Sequence, residues 1–393
     1  MLNLSFYITV LLLSLNQFTS VYKNGETNVY LFDFAVVFFA LYGLFYFLLV
    51  EKSFKLPKFS ILFLFLTATM TISLLMSIPN FPMENIVAAS FYLVRWGVYL
   101  LASLVVYNML DKKIISTEGV ENTLIASGVL ISVIGFIQLI FLPDFGVLSS
   151  ELGWDPHRNR LASTFFDPNF AGAYLTICIA FLINRFFSRK GFKKIELVAF
   201  LTILLAIFLT FSRSTWAMFA IIILVYGIFK SKRLFIASLI TFFVVYFAVP
   251  RIQTRLSGIT DPADSASLRI VSWKNAMQII KDNYWLGVGF NTYRYVQQDY
   301  GFLTPETENI HSGSGSDSSL LFIFATTGIL GLFFYLLSIF YILTESFLKR
   351  NSGGLMVFAI VLGVLVESQF INSFFYPQIL FALLVVFSRF SYT

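Results

Sequence analysis

The feature that most constrains this chain is its rhythm: apolar stretches of about 20 residues recur along its length, divided by short polar breaks. As helices, such stretches match a hydrocarbon core about 30 Å thick. A backbone in lipid must satisfy its own hydrogen bonds, which leaves helices or closed barrels. Of the 393 residues, 58% are hydrophobic and 12% charged, against roughly 45–50% and about 25% in soluble domains. A soluble fold cannot hide that much apolar surface. The expectation is an all-α integral membrane protein forming one polytopic domain over residues 1–393. Twelve spans are drawn, beginning near Leu4, Val29, Phe59, Asn85, Thr123, Asn169, Ile195, Thr215, Leu234, Ser318, Leu355 and Tyr376.

Charge sets their orientation. With the N-terminus cytoplasmic, the lysine-rich breaks (Lys52/Lys55/Lys58, Lys112/Lys113, Arg185 to Lys194, Lys230/Lys232/Arg233 and Lys349/Arg350) all fall on one side, as the positive-inside rule requires. Both termini are then cytoplasmic. The first apolar stretch, Leu4 to Thr19, has no basic flank and no small-residue cleavage site, so it reads as a retained helix. Net charge is +6, but its basic residues are spread over short loops, which argues for orientation and against nucleic acid. The single Cys178, inside an apolar run, rules out an intrachain disulfide and a thiolate metal cluster.

The one large outside segment is the loop at 250–317, between spans nine and ten. Within it Ile270, Trp273, Met277 and Ile280 recur at helical spacing, with Arg269, Lys274, Gln278 and Lys281 elsewhere around the turn. That pattern predicts an amphipathic helix, begun by Asp264 or Ser265 and stopped at Gly287-Val288-Gly289. It would lie on the outer leaflet or cap a cavity in the bundle. The chain has no clear internal repeat, which weakens a reading as an inverted-repeat transporter.

Arginine on the outer side needs a reason. Arg213 sits between two spans in Ser212-Arg213-Ser214; Arg158 and Arg160 precede the helix-start signature Asp167-Pro168-Asn169; Arg251, Arg255 and Arg269 lie in the large loop. Each by itself is compatible with a surface charge snorkelling to the headgroups. Together they form an outside face suited to phosphate, which the planar guanidinium fork binds bidentately. Only two histidines occur, His157 and His311. They are too far apart for a zinc site, and His311, next to the entry of span ten, is a candidate proton acceptor. Gly287-x-Gly289 is too short for a nucleotide loop, and no Asp-x-Asp pair of the kind that holds a metal-bound sugar nucleotide occurs. Inside the membrane, Arg95 and Glu367 are expected to pair across helices, with a proton path as the alternative.

The strings Arg160-Leu-Ala-Ser-Thr-Phe-Phe-Asp-Pro-Asn169, Thr210-Phe-Ser-Arg213-Ser-Thr-Trp216, Ser267-Leu-Arg269-Ile-Val-Ser-Trp273, Gly287-Val-Gly289 and His311 before Thr327-Gly-Ile-Leu-Gly331 resemble the O-antigen ligase and O-antigen polymerase family. The likeness runs in order over roughly residues 155 to 345; the first five spans match in hydropathy alone. It implies a GT-C-like bundle of about twelve helices in the bacterial cytoplasmic membrane, and a glycosyltransferase that needs no cofactor and no metal. The implied donor is an undecaprenyl-diphosphate-linked glycan at the outer face, and the acceptor a glycan or a lipid core. By the same resemblance Arg213 and Arg269 hold the diphosphate and His311 is the base, while Arg158, Arg160, Asn169, Arg251 and Arg255 are candidates for binding diphosphate or glycan. Many members carry His-Asn where this chain has His311-Ser312, followed by a glycine-serine run.

The chemistry is coherent in itself. Displacement at an anomeric carbon puts negative charge on the departing diphosphate, and fixed guanidinium groups stabilise that charge most in the transition state. A polymerase is favoured over a ligase, because the run Ser312-Gly-Ser-Gly-Ser316 offers a flexible lip for varied, growing acceptors. A flippase for lipid-linked sugars is the rival of another class.

Overall fold

A computed structural model describes residues 1–24, 27–146, 157–257, 265–303 and 315–392. Its helices are α1 (Leu2–Leu15), α2 (Leu31–Phe45), α3 (Lys58–Ser77), α4 (Met83–Asp111), α5 (Thr117–Phe141), α6 (Pro168–Arg189), α7 (Lys194–Leu209), α8 (Arg213–Phe229) and α9 (Lys232–Ala248). They continue with α10 (Pro250–Ser257), α11 (Ser265–Asp282), α12 (Tyr293–Asp299), α13 (Ser319–Leu348), α14 (Gly354–Glu367) and α15 (Pro377–Tyr392). Each of the twelve expected spans corresponds to a helix. Seven are long and apolar enough to cross a membrane, those running from Leu2, Leu31, Lys58, Met83, Thr117, Pro168 and Ser319, and α8, α14 and α15 are shorter apolar helices.

The bundle packs around α6, whose flanks are buried almost throughout. The longest helix contacts join α8 to α14, α4 to α15 and α3 to α13. Elsewhere phenylalanine, leucine and isoleucine point outward, as on α9, where Ile236, Phe243 and Phe247 are exposed; in lipid that exposure has no hydrophobic cost.

The fold is all-α, with one small antiparallel hairpin in which β1 (Ser20–Asn24) and β2 (Thr27–Tyr30) set Tyr22 opposite Val29. Two expectations need correction. Arg95 does not pair with Glu367. Its Nε and Nη2 reach Asp33 Oδ1 and Oδ2 at 2.8 and 2.7 Å, and Tyr99 Oη donates to the same carboxylate at 2.6 Å. Asp33 opens α2 and also caps the Tyr30 N–H, so the pair is a matched structural anchor rather than a cross-bundle link.

The second concerns α11, which is present but turned. Ile270 and Met277 are exposed, whereas Ala276, Ile279 and Ile280 are buried and Trp273 packs on Phe370. The inward stripe is therefore Arg269, Ser272, Trp273, Ala276 and Ile279. The helix faces a polar mouth as well as a core, so an arginine occupies a position that hydropathy assigns to the outside.

Candidate active site

Two helices begin abruptly at the same place, each by the same device. Phe166 and Phe211 adopt left-handed backbone, with φ of 58° and 47°, a costly conformation for a bulky residue that tends to collect at functional sites. Immediately after them come the caps Asp167 and Ser212. Asp167 Oδ1 accepts from the Asn169 and Phe170 N–H groups at 2.6 and 3.2 Å, with Pro168 in the first helical turn, where its missing N–H costs nothing. Ser212 Oγ caps Thr215 N–H at 3.3 Å and donates to Asn169 Oδ1 at 2.7 Å. The N-termini of α6 and α8 are thus tied together, and Arg213 is the first helical residue of α8.

Arg160 locks this junction from behind. It is buried, and its Nε donates to the Thr210 carbonyl at 2.9 Å, its Nη2 to Asn169 Oδ1 at 3.4 Å, while Nη1 lies 3.5 Å from His157 Nδ1. His157 Nε2 in turn lies 3.6 Å from Asp167 Oδ2. Burial opposes the charge on Asp167, but the hydrogen bond and charge of His157, then Arg160 and the Asn169 N–H, outweigh it and hold its pKa below the usual carboxylate range.

Arg269 comes from the opposite wall. Burial is the main cause lowering its pKa, and the like charge of Arg213 adds to it, whereas Asp317, Asp167 and Glu367 act the other way. The charges that act on Arg269 thus come from the start of α8, from the cap of α6, from the residue before Ser318 and from the end of α14. A third helix start closes the group: Ser318 caps Leu321 N–H at 3.3 Å, and Asp317 N–H donates to Ser272 Oγ at 3.0 Å, one turn of α11 from Arg269. Three helix N-termini and two arginines therefore converge. A helix N-terminus carries roughly half a positive charge, which at α6 is met by the Asp167 carboxylate on the Asn169 and Phe170 N–H groups; with the starts of α8 and α13 and the two guanidinium groups, the arrangement favours an anion.

Glu367 ends α14 beneath this group. It is fully buried, its Oε1 accepts from Ser373 Oγ at 2.8 Å, and its Oε2 has no hydrogen-bond partner among the described residues.

Of the residues expected from sequence, Arg213, Arg269, Arg160 and Asn169 are brought together. Arg158 is not; its exposed side chain turns to Asp144 at 2.9 Å on the rim. Arg251 stacks over the Phe211 ring at 4.0 Å and donates to the Arg158 carbonyl at 2.9 Å, so it braces the strained turn before Arg213. Arg255 lies on α10, with its side chain outside the described residues, as is the whole of His311. Asp167 is visible in the sequence as a helix cap but not as a site carboxylate; Asp317 gives no signal, and Glu367 stands out only as an intramembrane charge assigned to Arg95.

Residues 198–336 match the family model described as O-antigen ligase. The match takes in Arg213, α11 and the first half of α13. No curated protein matches the chain.

Proposed function

Because residues 198–336 carry an O-antigen ligase family region, we propose that the protein transfers a glycan from an undecaprenyl-diphosphate-linked donor to a sugar hydroxyl at the outer face of the bacterial cytoplasmic membrane. The observation that carries this reading is the meeting of Arg213 and Arg269 at three helix N-termini. The diphosphate sits between the two guanidinium groups. As the acceptor oxygen bonds to the anomeric carbon, the bond to the diphosphate oxygen breaks and its electron pair stays with that oxygen, where the arginines meet the growing charge. The acceptor's proton goes to His311, and one displacement inverts the anomeric centre. With both arginines in place no divalent metal is required.

This orientation puts both termini in the cytoplasm, with twelve crossings and the 250–317 loop outside. A flippase reading is favoured by twelve spans and by the intramembrane Arg95 and Glu367, of which Arg95 is matched to Asp33. The polymerase branch is preferred for its glycine-serine run beside His311, with ligation to a lipid core as the second reading. In a deletion strain a lost polymerase leaves single repeats on their normal acceptor; a lost ligase strands full-length glycan on the carrier.

Purified protein incubated with the lipid-linked glycan should release undecaprenyl diphosphate and lengthen or move the glycan, by mass analysis. Activity should fall as pH drops through about 6.5, the reference imidazole pKa, and EDTA should have no effect. Full activity in His311→Ala, or loss in EDTA restored by a divalent ion, refutes the corresponding step.

A further inference from the structure

The span α13 is broken. Gly328, at φ 65° and ψ −165°, interrupts the helix between Ser319 and Leu348, leaving a run from Ile329 to Leu348 about 30 Å long at 1.5 Å per residue. A helix break frees backbone groups, and buried ones need partners. Here the loop after α11 supplies them. Val288 N–H donates to the Ala325 carbonyl at 2.9 Å, Gly289 N–H to the Thr326 carbonyl at 3.1 Å, and Ile329 N–H to the Tyr284 carbonyl at 2.9 Å. The fit is backbone against backbone. A Cβ on Gly328 would collide with the Trp285 carbonyl, and one on Gly287 with the Thr326 and Thr327 backbone.

One side chain from a third element closes the joint. Ser73, buried in α3, places its Oγ 2.8 Å from the Leu286 carbonyl and 2.6 Å from the Thr326 carbonyl. Its single proton is shared between the loop and the broken span. Leu286 lies four residues past the end of α11, and Arg269 lies about 20 Å back along that helix. The helix is thus an arm anchored at the joint and carrying a guanidinium near its far end.

We propose that Ser73 is a positioning residue: it fixes the joint between the loop and α13 and, through α11, sets Arg269 against Arg213. This rests on the diphosphate reading of the arginine pair. Undecaprenyl diphosphate is the probe, bound to the purified full-length protein in detergent. Ser73→Ala should weaken binding about tenfold, the scale of a small misplacement of a charged contact, and Ser73→Thr, which keeps the hydroxyl, should restore it. In an Arg269→Lys background Ser73→Ala should cost less than about twofold, because residues acting through one contact are not additive. Equal weakening in both backgrounds overturns the proposal.

A second measurement reads the arm directly. Spin labels at Gln278→Cys and Ile137→Cys, in a Cys178→Ser background, should give a narrow distance distribution that shifts or broadens in Ser73→Ala. An unchanged distribution overturns the proposal. If the distances move while Arg269→Lys leaves binding intact, the diphosphate reading fails and the positioning role of Ser73 stands.

Discussion

Two ends of the same bundle hold clustered arginines, and they are built on opposite plans. At the end where α5 and α7 begin and α6 and α15 finish, Arg185, Arg189 and Arg389 are each matched to a glutamate. Arg185 and Arg389 both reach Glu121, at 2.9 and 2.5 Å, and Arg189 reaches Glu196 at 2.7 Å. At the other end two arginines face each other, and Asp167 is spent partly on capping α6. A buried cation is tolerable only when compensated. The first end carries its compensation permanently, so it fastens four helices together. At the second the like charge of Arg213 acts on Arg269, and an anion bound there would offset both.

Charge removal should therefore have opposite consequences at the two ends. Glu121→Gln strands Arg389 in a buried site and leaves Arg185 with Glu196 and Asn122, and breaking a buried pair in this way costs about 3–5 kcal/mol. The folded fraction in detergent should drop steeply on heating, while turnover per folded molecule stays near the unaltered value. If stability is unaffected, the far end is not the fastening it is described to be.

Arg213→Lys tests the other half of the comparison. The charge remains but the fork is lost, and a lysine cannot make two parallel bonds to one phosphate. Turnover should fall about 100-fold, the range for removing one fixed donor to a developing anion, with thermal stability unchanged. Near-normal turnover with normal expression would return Arg213 to the role of a charge snorkelling to the headgroups.

Glu367→Gln should give a smaller effect. The side chain is fully buried and its Oε1 accepts from Ser373 Oγ, and burial of this kind favours the neutral carboxyl, so an amide of the same shape should change undecaprenyl diphosphate binding by no more than about threefold. Binding tightened well beyond that would mean that an ionised Glu367 competes with phosphate for Arg269.

The helices of the bundle were legible almost entirely, because periodic apolar runs are local signals that lipid turns into helices. Arg213 and Asn169 were legible for a related reason: Asp167-Pro168-Asn169 and Ser212-Arg213 are helix starts, and caps are written in consecutive residues. The hairpin from Ser20 to Tyr30 was lost between two spans, being too short and too polar to register beside them. The facing of α11 was lost because hydropathy assumes that buried means apolar, whereas Arg269 is turned inward by Asp317, Asp167 and Glu367. Arg95 was given the wrong partner since charge alone cannot choose between Asp33 on α2 and Glu367 on α14.

Arg158 marks the boundary of the second cluster and should give the smallest effect. Unlike Arg160, which is buried and tied to Thr210 and Asn169, its side chain is 77% exposed and is paired with a half-exposed Asp144. Exposed pairs of this kind contribute little, because water screens them and two long side chains lose freedom to form them. What the structure uses at this position is the backbone, since the Arg158 carbonyl receives Arg251 Nη2, and that bond survives any side-chain replacement. Arg158→Ala should therefore change glycan transfer by less than about twofold, whereas Arg160→Ala, which unlocks the junction behind Asn169, should reduce it far more. Comparable losses in the two variants would show that the anion site extends outward to the rim, and that the division between matched and facing arginines is drawn too tightly around Arg213 and Arg269.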